Sequence, residues 1–415
     1  MIRDVSQNPV LLKLELFCRG IRVDKSCELE EESRGFLRTR AGLGSGLEII
    51  LPGGVYANAP VLEEWVAGTP YSIHREDGRY LIRRDGGLVT PIELPSRPAF
   101  YDRKTSSGKL MSTIGVMQGT YLGIYPTRVC HHWEHTPRRS CKFCSVGLNL
   151  GEQESREKSV QDVVETAIAA RQEEHITFVH FNTGYYEGDT YLDELEPYLK
   201  AVKSATGCLI GVQTPPHPDF SRYDRLKKMG VNNVSFCFEI WDETFFREAC
   251  PGKAEHCTHK RYLDAIEYCA KRFDTTNGEI VAGLEPPENT IEAINWITSV
   301  GAIPTVCVFR PLTGTEYAHV PPPAVEEMIP VFRRLYEACM EHKLPLGIAP
   351  NIKVSIVLLP DEGRYFLDDP NAWRWQELKL LPVKGLFRLA FWTRLGLKSL
   401  GFGRWTKGAK EKETK

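Results

Sequence analysis

From about residue 110 to about residue 315 the chain alternates short apolar runs with amphipathic stretches, and this alternation constrains the fold more than any other feature. TYLGIYPT, ITFVHFNTG, CLIGVQTPP, VNNVSFCFEIWD, GEIVAGLEP and IPTVCVFRPLTG read as six strands, each with the short continuous apolar run of a buried parallel strand. SVQDVVETAIAARQEEH, LDELEPYLKAVKSATG, FSRYDRLKKMG, KRYLDAIEYCAKRF and TIEAINWITSVG lie between them and read as helices. In the first helix Val160, Val163, Val164 and Ala167 share a face, and the third stops at Gly230. Strand–helix–strand repeats with right-handed crossovers predict a barrel or an open parallel sheet. Ligands of such folds sit at the carboxyl ends of the strands. The ends of these six strands are therefore the places to look for chemistry.

The flanks differ. Residues 1–105 hold short apolar runs punctuated by GG and DGG, which predicts a small β-rich domain with tight turns. The segment GFLRTRAGLGSG, from Gly35, is glycine-rich but lacks the Lys-Ser/Thr of a phosphate-binding loop, so it reads as a surface loop. Residues 351–415 form an extension that ends rich in Lys, Arg and aromatics. That end fits weak contact with an anionic membrane surface or another polyanion, or a helix packed on the barrel followed by a basic tail. A net charge of −2 gives no global reason to expect nucleic acid as a partner. The start, MIRDVSQNPVLLKLELF, lacks the pattern of a signal peptide. No apolar run approaches the roughly 18 residues that span a bilayer. A cytoplasmic protein is expected, and twelve cysteines in such a chain suggest metal or redox chemistry more than disulfides.

Cys130, Cys141 and Cys144 flank the stretch CHHWEHTPRRSCKFC after the first strand, with Phe143 directly before the last of them. A structural zinc ion takes four closed ligands. A cluster of four irons held by three cysteines leaves one iron open to a substrate or cofactor. His131, His132 and His135 lie between the cysteines, so a Cys3His zinc site is the competing reading. Cys250, Cys257 and Cys269 read as core packing or as part of a second cluster, and Cys208, Cys237 and Cys307 as small buried residues of strands. Gln213 ends the third strand and faces either cofactor or substrate. Tyr185, Tyr186 and Glu187 follow the second strand and line a substrate pocket or form a surface loop. Arg310, at the sixth strand end, answers an anionic substrate group or a structural ion pair.

With the cysteines at the end of a first barrel strand, the chain resembles the radical S-adenosylmethionine superfamily. The usual Cys-x3-Cys-x2-Cys spacing is stretched here, with ten residues between Cys130 and Cys141. A longer loop is a weak obstacle, since doubling its length costs only about 0.6 kcal/mol of closure entropy. Asn182, Thr183 and Gly184 occupy the place of the family's Gly-Gly-Glu loop, which implies that they hold the amino end of S-adenosylmethionine; the glutamate itself is absent. Glu239, in Phe238-Glu239-Ile240, matches a carboxylate that takes the ribose hydroxyls. Arg247 fits the basic residue that pairs with the methionine carboxylate. Gly283, in the fifth-strand stretch Gly278–Glu285, is similar to the glycine that lets backbone approach adenine. Pro311, in Phe309–Thr315, looks like the family's closing Pro-x-x-Gly-Thr segment. The likeness covers roughly residues 110–350 and is nearest the biotin-synthase-like members, with Arg-x-x-Cys-Pro-Gly-Lys from Arg247. Within them it is most similar to a subgroup with a lengthened cysteine motif, from which no substrate carries over.

The resemblance implies an α/β fold: a partial (β/α)6 TIM-type barrel over residues 106–350, carrying the β-rich N-terminal domain and the basic extension. It implies a [4Fe–4S] cluster on Cys130, Cys141 and Cys144 and S-adenosylmethionine as cofactors. The expected reaction is reductive cleavage of S-adenosylmethionine to a 5′-deoxyadenosyl radical, which abstracts hydrogen from a small molecule. The expected partners are that substrate and an electron donor such as flavodoxin or ferredoxin. The alternative is a zinc-binding protein without radical chemistry that docks on a polyanion through its basic end.

Overall fold

In the computed structural model, which describes residues 1–29, 46–126, 128–135, 137–151, 153–349 and 351–399, the six anticipated strands stand side by side in chain order. They are Leu122–Ile124, Phe178–Asn182, Leu209–Gln213, Asn233–Glu239, Thr275–Ala282 and Ile303–Val308, all parallel. A short antiparallel strand, Gly115–Met117, widens the edge beside the first. The longer helices that return the chain between strands are Val160–Glu173, Tyr191–Thr206, Ser221–Lys228, His259–Ala270 and Pro287–Ser299. Val325–Glu341 follows the last strand and completes six β/α units. The first and last strands are not neighbours, so the sheet is an open, partial barrel.

The strands are less uniformly apolar than their runs suggested. Val179, Phe181, Val212, Val234 and Phe236 are fully buried in the apolar core. Their neighbours along the pleat, His180, Gln213, Ser235, Asn277, Glu279 and Thr305, line an interior cavity of about 410 Å3 instead. Alternation along a strand sends successive side chains to opposite faces, so this sheet has an oily outer face and a polar inner one. The open side is covered by the segment after Val325–Glu341, which lays Leu346, Ile352, Ile356 and Leu358 against the cavity and forms a bridge between Leu358 and Val306.

The N-terminal region is β-rich as expected, with a four-stranded sheet and a separate hairpin, Leu47–Leu51 with Val55–Ala59. Asp77-Gly78 and Asp85-Gly86 turn with positive φ at both residues, the geometry that joins two twisted antiparallel strands. The Gly35 loop lies outside the described residues. Within this region a helix, Pro9–Arg19, capped by Asn8, was not anticipated. Its residues from Val10 to Cys18 are all buried, Lys13 included, and Lys13 meets Glu362 at 2.9 Å. A helix buried on every side shows no amphipathic stripe, which is why periodicity passed over it. The N-terminal region is tied to the barrel by contacts that a boundary near residue 105 does not interrupt. Thr105 Oγ1 donates to Asp162 at 2.7 Å and Lys109 Nζ at 2.9 Å, while Asp162 and Ser159 also form the reciprocal cap of the first barrel helix.

Burial disfavours the Asp162 charge, but hydrogen bonds from Ser107, Lys109, the Ser159 backbone and Thr105 outweigh it and hold the carboxyl well below the usual range. A depressed folded-state pKa stabilises the fold above the unfolded-state value and is lost as pH falls toward the folded one. Asp162→Ala is expected to cost about 3 kcal/mol at neutral pH, because it strands several buried donors. Urea unfolding should show that deficit, and the gap from the parent should narrow as pH drops below about 4.

Candidate functional site

The first strand ends at Ile124, and the chain then turns across the carboxyl ends of the other strands. Its cysteine loop is clamped by backbone on two sides. From the second strand's end, His131 N–H donates to Tyr185 O at 2.8 Å. From beyond the fourth strand, Gly252 N–H donates to Arg139 O at 3.0 Å, and Lys142 N–H donates to Ala249 O at 2.8 Å. Both contacts need glycine. A Cβ on Gly184 would stand 2.5 Å from Cys130 Cβ, and one on Gly252 would stand 2.5 Å from the His132 ring. The ten residues between Cys130 and Cys141 therefore form a pinned loop, and they carry a short helical turn, His131–Glu134.

The clamp brings Cys130, Cys141 and Cys144 to the wall of one cavity of about 140 Å3. Asn182, Thr183 and Gly184 from the second strand end, Gln213 from the third and Glu239 from the fourth line the same cavity. Tyr185 lines it too, stacked face to face on His132 with ring centres 4.7 Å apart. Burial pushes the Cys130 and Cys144 thiols up, whereas Cys141 is lowered, first by a hydrogen bond from the Cys250 thiol and then, against burial, by the charge of Lys253. Cys250 is packed in the core, as one of its two readings had it, and lies beside the Cys141 thiol. Burial pushes His132 down to about 3, so its ring is neutral, and neither ring nitrogen has a hydrogen-bond partner among the described residues.

Glu239 sits on unusual backbone. The ladder to the fifth strand slips between Cys237 and Glu239, Glu239 has a φ of 71°, and Ile240 N–H reaches back to Phe238 O at 2.9 Å. This is a γ-turn of the rare, positive-φ kind, a strained conformation for a non-glycine residue. It aims the carboxylate at the cavity, and Lys253 Nζ meets Oε1 at 2.5 Å while also donating to Cys237 O at 2.7 Å. Burial works against the ammonium, but the charge of Glu239 overrides it and keeps the Lys253 pKa well above its ordinary value. Glu285, which ends the fifth-strand stretch, braces the turn from behind by accepting from Trp241 N at 2.8 Å and Asp242 N at 3.0 Å.

Three expected residues are not among those that line the cavity. Arg247 lies on the outside of the helix Glu243–Ala249, 70% exposed and paired with Glu243 at 2.6 Å. The cation at this site is Lys253, from the short helix Pro251–His256. Its signal was in the sequence, as the lysine that closes Cys-Pro-Gly-Lys after the strand-end carboxylate. Gly283 does adopt a glycine-favouring φ of 101°, but it packs on Pro323. Pro311 uses its carbonyl to accept from Trp65 Nε1 at 2.9 Å. Arg310 has a structural role as well: it donates to Asn58 at 3.2 Å and lies 4.6 Å from the Phe17 ring centre, tying the sixth strand end to the N-terminal region.

Below the thiols the cavity meets the larger interior one. Gln213, Glu279 and Cys307 line both. Gln213 Nε2 donates to Glu279 at 2.5 Å and the Cys237 thiol donates at 2.9 Å. Burial raises the Glu279 carboxyl. A single zinc ion draws four donors to within about 2.0–2.3 Å of one point. Among the described residues no group of three or more His, Cys, Asp and Glu side chains is gathered to hold one ion. Three thiols around an open space suit a group of several metal atoms, which spreads its ligands.

A family model described as the radical SAM superfamily matches residues 125–297. A bacteriochlorophyllide c C-7(1)-hydroxylase from Chlorobaculum limnaeum is 26% identical over 131 residues, 31% of this chain and 33% of that protein. The match thus spans about a third of that relative's length. Among solved structures, methylornithine synthase aligns at a TM-score of 0.42 and 18% identity over 52% of this chain and 62% of its own. A radical SAM methyltransferase from Sphaerobacter thermophilus aligns at 0.41 and 14% identity, over 65% of this chain and 75% of its own.

Gly184→Ala tests the clamp without any cofactor. The added methyl has no room beside Cys130, so the cysteine loop must shift. Alkylation of Cys130 by a maleimide, followed by peptide mass spectrometry, should run about tenfold faster or more in the variant, since loosening a buried site exposes its thiol. An unchanged rate would show that the loop does not depend on the close approach.

Proposed function

We infer, for a chain that belongs to the radical SAM superfamily and is an enzyme of it, that Cys130, Cys141 and Cys144 hold one [4Fe–4S] cluster and that the adjoining strand ends hold S-adenosylmethionine. The observation that carries this reading is the convergence of the three thiols with Asn182, Thr183, Gly184, Gln213 and Glu239 on a single cavity. When a cluster and S-adenosylmethionine are bound, one electron from a reductant breaks a C–S bond, and the 5′-deoxyadenosyl radical released takes hydrogen from a small molecule.

The residues divide the work by their chemistry. Three thiolates supply soft ligands and leave a fourth metal position free. The Asn182 side chain and the strand-end backbone of Thr183 and Gly184 offer carbonyl acceptors to an ammonium. Glu239, aimed by its γ-turn, accepts from vicinal hydroxyls, and Lys253 holds that carboxylate in place through its ion pair. Lys253 also brings positive charge beside Cys141, so the carboxylate end of an amino acid finds a cation here without Arg247. Gln213 and Glu279 stand where the thiol cavity opens into the interior one. The interior cavity has room for a small molecule, with a polar strand wall facing an apolar one from the covering segment.

Anaerobic reconstitution with iron and sulfide should yield a brown protein with about four of each per chain. After chemical reduction it should release 5′-deoxyadenosine from S-adenosylmethionine, seen by mass spectrometry. Cys130→Ala, Cys141→Ala and Cys144→Ala should each lose the colour and the product. A colourless protein holding one zinc, or a full and active cluster in Cys130→Ala, would overturn the assignment. Glu239→Gln should keep the iron yet weaken S-adenosylmethionine binding about tenfold or more, the scale of hydrogen bonds to a charged group.

A further inference from the structure

The chain ends in a feature that the cluster site does not use. The helix Arg374–Ser399 packs on the body through Leu380, Phe391 and Leu395, all buried. Phe387, Ala390 and Phe391 reach the wall of the interior cavity. Glu377 accepts from Tyr336 at 2.7 Å and Arg388 donates to Gly347 O at 3.1 Å, which fixes how the helix is rotated. Its opposite side is apolar and bare. Trp375 is 78% exposed, Leu386 72%, Leu389 68% and Trp392 51%, with Leu378 and Leu381 beside them. At about 100° per residue these six fall on one outward stripe, away from Leu380 and Phe391. An exposed apolar patch of this size marks an interaction site.

The charges around the stripe say what covers it. Lys379 and Arg388 border it, Arg374 stands within it, the half-buried Lys384 lies nearer the body, and Glu377 is the one acid of the helix, turned inward to Tyr336. From residue 374 to the end the sequence holds eleven Lys and Arg against three Glu. A second copy of this chain would bring basic flank against basic flank. A cationic helix with Trp and Leu along its outer face instead fits the headgroup region of a bilayer, where indoles sit at the interface and lysines and arginines meet anionic lipids. Among the described residues no helix is long and apolar enough to cross a membrane, so the helix would lie on the surface.

We propose that Arg374–Ser399 is an interfacial helix that docks this enzyme on an anionic phospholipid surface through Trp375, Leu378, Leu381, Leu386, Leu389 and Trp392. Docking sets the helix between lipid and the interior cavity, because its other side lines that cavity. The proposal stands apart from the cluster chemistry and is tested on protein without metal.

The test is co-sedimentation of the full chain with vesicles of phosphatidylcholine alone and of phosphatidylcholine with phosphatidylglycerol. The protein should pellet with the phosphatidylglycerol vesicles, and binding should fall as salt rises. A Trp375→Glu, Leu386→Glu, Leu389→Glu triple variant should bind about tenfold less or weaker, and Lys379→Glu with Lys384→Glu should lower binding to the anionic vesicles only. Trp375, Leu386, Leu389 and Lys379 are exposed and Lys384 is half-buried, so circular dichroism should be unchanged. No binding to the anionic vesicles, equal binding to both kinds, or binding retained by the triple variant would overturn the proposal. A dimer in light scattering that the triple variant turns into monomer would also overturn it, by giving the stripe to a second copy.

Discussion

The ion pair between Glu239 and Lys253 organises the functional end of the barrel. It joins a strained strand end to the short helix Pro251–His256, which clamps the cysteine loop through Gly252, while Ala249 of the helix before it holds the loop as well. Neither charge is tolerable alone in so enclosed a place, since an unpaired buried ion costs several kcal/mol. Together they let a carboxylate sit beside three thiols with its charge paired. The positive φ of Glu239 persists because Glu285 and the Trp241–Asp242 amides hold the next turn in place. Strain of that kind survives where the surroundings over-determine it.

The cysteine loop depends on close approach more than on length. Ten residues between the first two cysteines look like slack in the sequence. In the fold they are fastened at both ends of their span, by the second strand end and by the Cys-Pro-Gly-Lys segment. Gly184 and Gly252 matter here because each lets one backbone pass against another group within van der Waals distance. Cys250 gains its meaning from the same contact, since it backs Cys141 from a segment more than a hundred residues away.

Much of this was legible beforehand where local pattern decides structure. The six strands and their connecting helices follow from apolar periodicity, and the hairpin turns from Asp-Gly pairs whose φ values only such residues adopt readily. That the three cysteines and Gln213 fall at strand ends was legible from the alternation, whereas Asn182, Thr183, Gly184 and Glu239 were singled out by the resemblance; the structure sets all of them around one cavity. The helix Pro9–Arg19 was not, because burial on all sides erases the amphipathic signal. Arg247 was misjudged for the converse reason. It has the right charge at a plausible spacing, but the helix Glu243–Ala249 turns it to solvent, and the choice between Arg247 and Lys253 rests on a kink at Cys250 that no periodicity reveals.

The sequence by itself determined the order of elements, the parallel sheet and the residues at its carboxyl edge, since these depend on pattern and on the handedness of the chain. Tertiary structure decided which charges face inward, how a stretched loop is pinned, and that the strands' inner face lines a cavity with one polar and one apolar wall. It also decided the outward stripe of the last helix, which the sequence left between a packed helix and a membrane contact. Those outcomes depend on which distant segments meet, and contact between distant segments is set by packing, not by local propensity.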